Sequence, residues 1–241
     1  MVEESATFIG VPFTRVTGAG GMNSRRPCCK LHPPFNTQSC QRLRGVLDWF
    51  GGGVMPKIVV ISGSRRPGNN TDKALRIALD EIGAAAEVEV VRAGEWRFLL
   101  PGDEGAALPG VADDGERLRE KVLGADGLLI ATPEYHGSIS STLKLIIDNL
   151  GFPSTLEGKD IAIFGVAMGP GADNAVGHLR HILTHIGGRV LPTETSVGSV
   201  HKVFDESGAC TDEDVEAAIR AVARALLDHI TGPDSDDLSG L

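Results

Sequence analysis

The sequence predicts an α/β protein in which helices cover both faces of a doubly wound parallel sheet. From residue 57 onward, short β-branched runs alternate with segments of helical periodicity, which gives five strand–helix units. The strand-like runs contain few polar residues, as is typical of strands that are buried on both faces. Together these observations indicate one five-stranded parallel sheet.

The first unit shows the pattern most clearly. Residues 58–62 (IVVIS) predict a buried strand, and the turn-forming sequence GSRRPGNNT follows at once. Asn70 or Thr71 can cap the next helix, because apolar residues then recur on one helical face. The later units predict strands over 87–91, 127–131, 160–166 and 189–197, the last broken by Pro192, and helices over 113–123, 138–150, 173–186 and 211–230, the last capped by Thr211.

Composition and charge narrow the class of protein. The hydrophobic fraction of 41% and the charged fraction of 23% are ordinary for a globular chain. The formal net charge of −9 argues against non-specific binding of nucleic acid. No apolar run approaches a membrane span, and no secretory signal is visible at the N-terminus, so we expect a cytoplasmic protein without a membrane or nucleic-acid partner.

Residues 1–54 differ from the rest of the chain. They are rich in proline and net basic, follow neither helical nor strand periodicity, and end in a run of three glycines before Met55. We expect a disordered extension rather than a basic arm that binds a partner, a folded domain over 55–231, and a flexible acidic tail over 232–241. The four cysteines, Cys28, Cys29, Cys40 and Cys210, match neither a zinc site nor a redox pair, which favours incidental thiols over a small metal site.

The loop after the first strand is a candidate anion site. A strand, a polar loop and a helix start in succession direct backbone N–H groups and the positive end of a helix dipole at one point. Arg65 or Arg66 can add a fork suited to phosphate oxygens. Short polar side chains that can donate hydrogen bonds are also present: Ser64, Asn69, Asn70 and Thr71. The alternative is an ordinary strand–helix loop with surface arginines; neither a Walker loop nor a GxGxxG motif is present.

Two further loops should converge on the first, because ligands of such folds lie at the carboxyl ends of the strands. They are TPEYHGS (132–138) and AMGPGADN (167–174), both rich in small residues. Pro133 stiffens the former, and Ser138 can cap the helix that follows. Glu134 suits loop orientation better than acid–base catalysis, since no second carboxylate is evidently paired with it. The alternative is a capped loop whose Tyr135 and His136 are merely exposed.

Other candidate groups have competing interpretations. His178, His181 and His185 recur at helical spacing, but Ile182 stands where a zinc protease has glutamate, which favours solvent or subunit-interface imidazoles over a metal site. In the long loop over residues 93–110, Trp96 and Phe98 could shield a ligand, form a subunit contact or pack in the core.

The two motifs together resemble the NAD(P)H-dependent FMN reductase family, over about residues 57–230. Gly63, Ser64 and Arg66 match the family pattern GSxR. The pattern PEYxxSxxxxLKxxxD is matched by Pro133, Glu134, Tyr135, Ser138, Leu143, Lys144 and Asp148. Many members have Asn where this chain has His136.

The resemblance implies a flavodoxin-like sheet of strand order 2-1-3-4-5 that binds FMN and uses NAD(P)H as co-substrate. The residues it assigns to the phosphate are Ser64, Arg66, Asn69, Asn70 and Thr71. Those it assigns to the isoalloxazine ring and its loop are Pro133, Glu134, Tyr135, His136, Gly137, Ser138, Gly169 and Gly171. It also implies a homodimer or homotetramer.

The function expected from the resemblance is hydride transfer from NAD(P)H, through FMN, to flavin, quinone, chromate or azo acceptors by a ping-pong mechanism. No catalytic side chain is expected, because the flavin carries the chemistry. One alternative is a flavodoxin-type electron carrier without its own turnover, although flavodoxin phosphate loops lack the GSxR arginine. A second alternative is an inactive scaffold.

Overall fold

A computed structural model of the chain describes residues 55–100, 102 and 113–232. The expected N-terminal extension, the tail beyond residue 232 and most of the second half of the long loop lie outside these residues. No helix in the described part of the chain has both the length and the apolar character that crossing a bilayer requires.

The predicted sheet is confirmed: five parallel strands are arranged in the order β2-β1-β3-β4-β5. The strands are β1 (Lys57–Ser62), β2 (Glu87–Arg92), β3 (Gly127–Pro133), β4 (Asp160–Val166) and β5 (Arg189–Val197). The strand order reverses next to β1, since the chain moves from β2 across β1 to β3. The carboxyl ends of β1 and β3 therefore flank the point at which ligands bind in doubly wound sheets.

Five helices cover the two faces of this sheet: α1 (Asn70–Ile82), α2 (Gly115–Leu123), α3 (Ser141–Asp148), α4 (Asp173–His185) and α5 (Glu213–Thr231). Two short 3₁₀ turns, Gly83–Ala85 and Val200–Lys202, lie between them. Alternate residues of β1 separate into two buried cores: Ile58 and Val60 pack with α1 and α5, whereas Val59 and Ile61 pack with α2, α3 and α4. The uninterrupted apolar run over residues 58–61 is explained by this burial on both faces.

Three predicted helix caps were wrong, and the helix predicted from residue 113 begins at Gly115. Asn69, rather than Asn70 or Thr71, caps α1 by accepting a hydrogen bond from the amide of Asp72 at 2.8 Å. Ser140 caps α3 in place of Ser138, and Asp212 caps α5 in place of Thr211. Several polar residues precede each of these helices. In each case the residue that caps has an extended backbone where the chain enters the helix.

Pro192 does not break β5, contrary to expectation. The strand is continuous, and its register against β4 shifts from the pair Ile161–Val190 to the pair Ile163–Glu194. The guanidinium of Arg180 in α4 donates to the carbonyl oxygens of Val190 (3.1 Å) and Leu191 (2.6 Å). It also pairs with the Glu194 carboxylate, so one side chain holds both sides of the register shift against α4.

The first part of the long loop packs into the core rather than over a ligand. Trp96 is buried with the α2, α3 and α4 core, the guanidinium of Arg117 lies 4.3 Å from its ring centroid, and Phe98 stacks beside it. Of the three interpretations open for Trp96, core packing is the one observed. The loop also passes close to the loop after β1, since a Cβ on Gly94 would lie 3.3 Å from the carbonyl oxygen of Arg65.

An ion-pair network joins α1 to α5. The Glu81 carboxylate accepts hydrogen bonds from Arg224 and, at 3.3 Å, from Arg220, which is also paired with Glu216 on its own helix. The hydrogen bond from Arg224 is the main cause that holds the pKa of Glu81 below its usual value of 4.5. A carboxyl group whose pKa is lowered by folding stabilises the fold wherever it is ionised.

We predict that Glu81→Gln lowers the melting temperature by an amount that depends on pH. The stabilisation is complete above the unfolded pKa near 4.5 and is lost as the pH falls through the lower folded pKa. The deficit of the variant should be constant between about pH 5 and 7 and should shrink at lower pH. Thermal melts in a buffer series measure this. Asp80→Asn, on the same helix at an exposed position, is the control; a deficit that is unchanged at the lowest pH would contradict the assignment.

Candidate functional site

A cleft of about 280 Å³ opens at the carboxyl edge of the sheet, beside β1, β3 and β4. It lies between the loop after β1 (residues 63–71, the first loop), the loop after β3 (residues 134–140, the second loop) and the loop after β4 (residues 167–172, the third loop). The residues that line it are Ser64, Arg66, Pro67, Gly68, Asn69, Asn70, Thr71, Pro133, Glu134, Tyr135, Val166, Met168 and Val200.

The cleft brings together most of the residues that the sequence predicted, but not all of them. All five residues expected at the anion end line it, and so do Pro133, Glu134 and Tyr135. The remaining predicted residues lie in the second and third loops without lining the cleft: His136, Gly137, Ser138, Gly169 and Gly171.

The start of α1 presents hydrogen-bond donors to the cleft. Among the described residues, the amides of Asn70 and Thr71 and the Thr71 hydroxyl have no acceptor, as the first turn of a helix allows. Ser64 Oγ accepts only a long bond of 3.4 Å from the amide of Arg66, so its own proton is uncommitted. Two N–H groups, two hydroxyls and the positive end of a helix dipole thus meet in one place, an arrangement that suits an anion.

Asn69 lines the cleft, but its side chain is already committed. Its Oδ1 caps α1, and its Nδ2 donates to the carbonyl oxygen of Arg66 at 2.6 Å and to Asp72 Oδ2 at 2.7 Å. The side-chain amide of Asn69 therefore has no remaining N–H to donate to a ligand. This geometry points to a role for Asn69 in shaping the first loop.

Arg66 and Tyr135 approach each other across the cleft. The guanidinium carbon of Arg66 lies 5.2 Å from the centroid of the Tyr135 ring, within the range of a cation–π interaction. Both side chains are exposed. The first and second loops therefore meet through a contact that water can reach and that either side chain can leave.

The second loop is a tight reversal of the chain. Tyr135 and Ser138 exchange backbone hydrogen bonds of 2.9 and 3.1 Å, and the two residues between them have positive φ: 52° for His136 and 72° for Gly137. Asn, Asp and His adopt this left-handed conformation more readily than most other residues. His136 can therefore adopt the conformation that this turn requires.

Glu134 is held by backbone groups on both sides. Its amide donates to the carbonyl oxygen of Val166 at 2.8 Å, and its Oε2 accepts from the amide of Ala175, in the first turn of α4, at 3.0 Å. The positive end of the helix dipole makes this contact with a carboxylate favourable. Glu134 therefore fixes the second loop against α4, in agreement with the orienting role expected from the sequence.

The third loop packs closely against the end of β5. A Cβ on Gly198 would collide with the carbonyl oxygen of Pro170, whereas a Cβ on Gly169 would meet no other atom within 4 Å. The amide of Ser199 donates to the carbonyl oxygen of Gly169 at 2.5 Å. These contacts bind the third loop to the end of β5, and this brings Val200 to the cleft.

The histidines of α4 are divided between two places. His178 Nδ1 lies 3.0 Å from Ser138 Oγ, whereas His181 and His185 stack on each other beside a separate groove along α3. No cluster of His, Cys, Asp or Glu suited to a metal ion occurs within the described residues.

Sequence reasoning missed three apolar residues of the cleft: Val166, Met168 and Val200. Met168 belongs to a loop that was predicted to reach the cleft, but only the glycines of that loop were predicted to contact a ligand. Val200 follows β5, and no motif marks it. A signal was available for Val166, since the last residue of a central strand faces the carboxyl edge where ligands bind.

Comparison with known protein families gives a match over residues 56–202 to the family described as NADPH-dependent FMN reductase. The chain is 33% identical over 174 residues to an NAD(P)H-dependent FMN reductase of Pseudomonas aeruginosa, an alignment that covers 70% of this chain and 92% of that protein. It is 32% identical over 113 residues to an FMN-dependent NADPH-azoreductase of Staphylococcus aureus, covering 47% of this chain and 58% of that enzyme.

The fold is also similar to that of solved structures. The flavoenzyme NAD(P)H:(acceptor) oxidoreductase FerB of Paracoccus denitrificans superposes with a TM-score of 0.59 at 23% identity, covering 73% of this chain and 97% of that one. At this identity the likeness concerns the fold, and it agrees with the strand order observed in this chain.

Proposed function

This chain belongs to the NADPH-dependent FMN reductase family, and from that premise we propose that the cleft holds FMN and serves an NAD(P)H-dependent oxidoreductase. The observation that carries the proposal is the set of uncommitted donors at the start of α1, which lies at one end of a cleft whose other end is apolar. Flavin mononucleotide matches this arrangement, because it carries a dianionic phosphate for the donor end and a planar ring for the apolar end.

The donors present fit a phosphate group. The amides of Asn70 and Thr71 and the hydroxyls of Ser64 and Thr71 would each donate to a phosphate oxygen. Arg66 would leave Tyr135 and add a charge-assisted bond from its exposed position. Asn69 would contribute by holding the loop in shape rather than by donating.

The ring would lie toward the other end of the cleft. Pro133 and Val166 end two adjacent strands there, and Met168, which is 64% exposed, and Val200 add apolar surface. The second loop would border the ring with Glu134 and Tyr135, and the Glu134 carboxylate would keep that loop against α4. Gly169 would act indirectly, because its carbonyl oxygen ties the loop beside Met168 to Ser199.

When bound, FMN would supply the redox chemistry, taking a hydride from NAD(P)H and passing electrons to a small acceptor such as a flavin, a quinone or an azo compound. The chain's residues bind, orient and partly shield the cofactor, and none is assigned as an acid or a base. Because donor and acceptor would use the same open cleft in turn, the kinetics should be ping-pong. A carrier of the flavodoxin type is the less favoured alternative, given the family of the chain.

We further propose that the functional unit is residues 55–231 and that it works in the cytoplasm, where its reductant NAD(P)H is maintained. The first 54 residues and the last ten would be dispensable extensions, since every element around the cleft lies between β1 and α5.

We also propose that the unit assembles as a homodimer, or as a tetramer built from such dimers, through the groove between α3 and α4. This groove has a volume of about 580 Å³, and its apolar lining includes Ile147, Ile182 and Ile186. Phe152 stands at its edge with its side chain fully exposed. A second copy is the occupant that could cover such a surface symmetrically, with the Phe152 of each copy in the groove of the other.

We predict that purified protein supplied with FMN oxidises NADPH over many turnovers when a quinone or free flavin is present. Absorbance at the NADPH band, recorded without oxygen, measures the rate. A carrier would instead stop after about one equivalent per bound flavin, because its reduced cofactor would wait for a protein partner. Protein that cannot be loaded with FMN would contradict the proposal altogether.

We predict that Arg66→Ala weakens FMN binding by about 1.5–3 kcal/mol, the range for a hydrogen bond to a charged group. The fold should survive because Arg66 is exposed. Arg65→Ala is the matched control, since Arg65 is the exposed neighbour that does not line the cleft. Fluorescence titration of FMN measures both variants, and equal losses would refute the specific role of Arg66.

We predict that Phe152→Asp converts the dimer into monomers at micromolar concentration, because a charge would have to be buried at the centre of the contact. Leu123→Asp, at another exposed apolar residue outside the groove, should leave the assembly intact. Light scattering distinguishes the two. A wild-type chain that is already monomeric, or a Phe152→Asp variant that stays dimeric, would reject the interface.

A further inference from the structure

We propose that Asp72 and Ser140, neither of which lines the cleft, are positioning residues that fix the two ends of the first loop and thereby set the preference for a phosphorylated flavin. The inference rests on the proposed function, in which the first loop binds the FMN phosphate. It concerns what holds the donors in place rather than which atoms donate.

Asp72 fixes the end of the first loop that enters α1. Its Oδ2 accepts from Asn69 Nδ2 at 2.7 Å, and its Oδ1 accepts from the hydroxyl of Ser62 at 2.6 Å. Ser62 is the last residue of β1 and is fully buried. One carboxylate thus ties the loop residue Asn69 to the sheet, and Asn69 in turn holds the carbonyl oxygen of Arg66.

Ser140 fixes the end of the loop that leaves β1. Its hydroxyl donates to the carbonyl oxygen of Gly63 at 2.6 Å and accepts from the amide of Leu143 at 3.0 Å, so it caps α3 at the same time. Ser140 is 2% exposed. Gly63 has no room to shift toward α3, because even a Cβ there would lie 3.1 Å from the Leu143 Cβ and from the carbonyl oxygen of Ala131.

Between these two anchors the first loop has little other support. Residues 65–68 are all exposed, and the internal bond from the amide of Arg66 to Ser64 Oγ is long at 3.4 Å. The direction in which Ser64, Asn70 and Thr71 present their donors therefore depends on where the two ends are held. A phosphate needs several donors at once, so it is more sensitive to this placement than an uncharged group.

The charge of Asp72 and its positioning role predict opposite changes in FMN affinity. A carboxylate in the first turn of α1 repels a phosphate dianion, so charge alone predicts tighter FMN binding when it is removed. Positioning predicts the opposite, because the loss of the carboxylate frees Asn69 from Ser62. The sign of the change in affinity separates the two effects.

The experiment compares FMN with riboflavin, which lacks the phosphate, in fluorescence titrations of the full chain. We expect Asp72→Ala and Ser140→Ala each to weaken FMN binding about tenfold while riboflavin binding changes by less than about twofold. Ser62→Ala, which is nearly isosteric and keeps the carboxylate, should shift FMN binding in the same direction. Ser140→Thr keeps the hydroxyl and should retain the affinity.

Two controls separate positioning from general loss of stability. Asp80→Ala removes one exposed carboxylate from the same helix, and Asp212→Ala removes the cap of α5, remote from the first loop. Both should leave the FMN-to-riboflavin ratio unchanged, although Asp212→Ala lowers the melting temperature as Ser140→Ala does.

Two results would overturn the inference: unchanged or tighter FMN binding in Asp72→Ala and Ser140→Ala, or a parallel loss of FMN and riboflavin. Both leave the proposed function standing, provided that the wild-type chain prefers FMN. A wild-type chain that bound the two flavins equally would instead refute the phosphate assignment itself.

Discussion

The parallel arrangement of β1, β3 and β4 is the constraint on which the rest of the structure depends. It brings the carboxyl ends of the three strands to one edge, so three loops that are distant in sequence form one cleft. Because both faces of the sheet are buried by apolar residues, polar groups can lie at that edge without being buried in the core. The site is thus a consequence of strand order, and the loops supply its chemistry.

The cleft has an electrostatic character different from that of the chain as a whole. The protein carries a formal net charge of −9, yet the start of α1 and the adjacent arginines make one end of the cleft attractive to anions. Glu134, which lines the cleft, and Asp72, in the first turn of α1, are both engaged in hydrogen bonds. Their charges are used to hold loops, and the donors that remain uncommitted are those that a phosphate would need.

The strand order was predicted through the family resemblance, and the polar end of the cleft was predicted from the loop after the first strand. Both predictions had strong signals: uninterrupted β-branched runs and two specific motifs. The sequence did not identify the caps of α1, α3 and α5, because several polar residues compete there and the direction of the entering chain decides which one caps. It also missed Val200 and the roles of Asp72 and Ser140, since these depend on contacts between residues far apart in sequence.

The register shift in β5 has a consequence for how the molecule meets its neighbours. β5 is an outer strand of the sheet, and its free backbone groups are a potential template for another strand. The shift near Pro192 interrupts the regular spacing of those groups, Pro192 has no N–H to offer, and Arg180 already occupies two carbonyl oxygens. These features disfavour sheet-to-sheet growth, the route to fibrous aggregates, at this part of the edge.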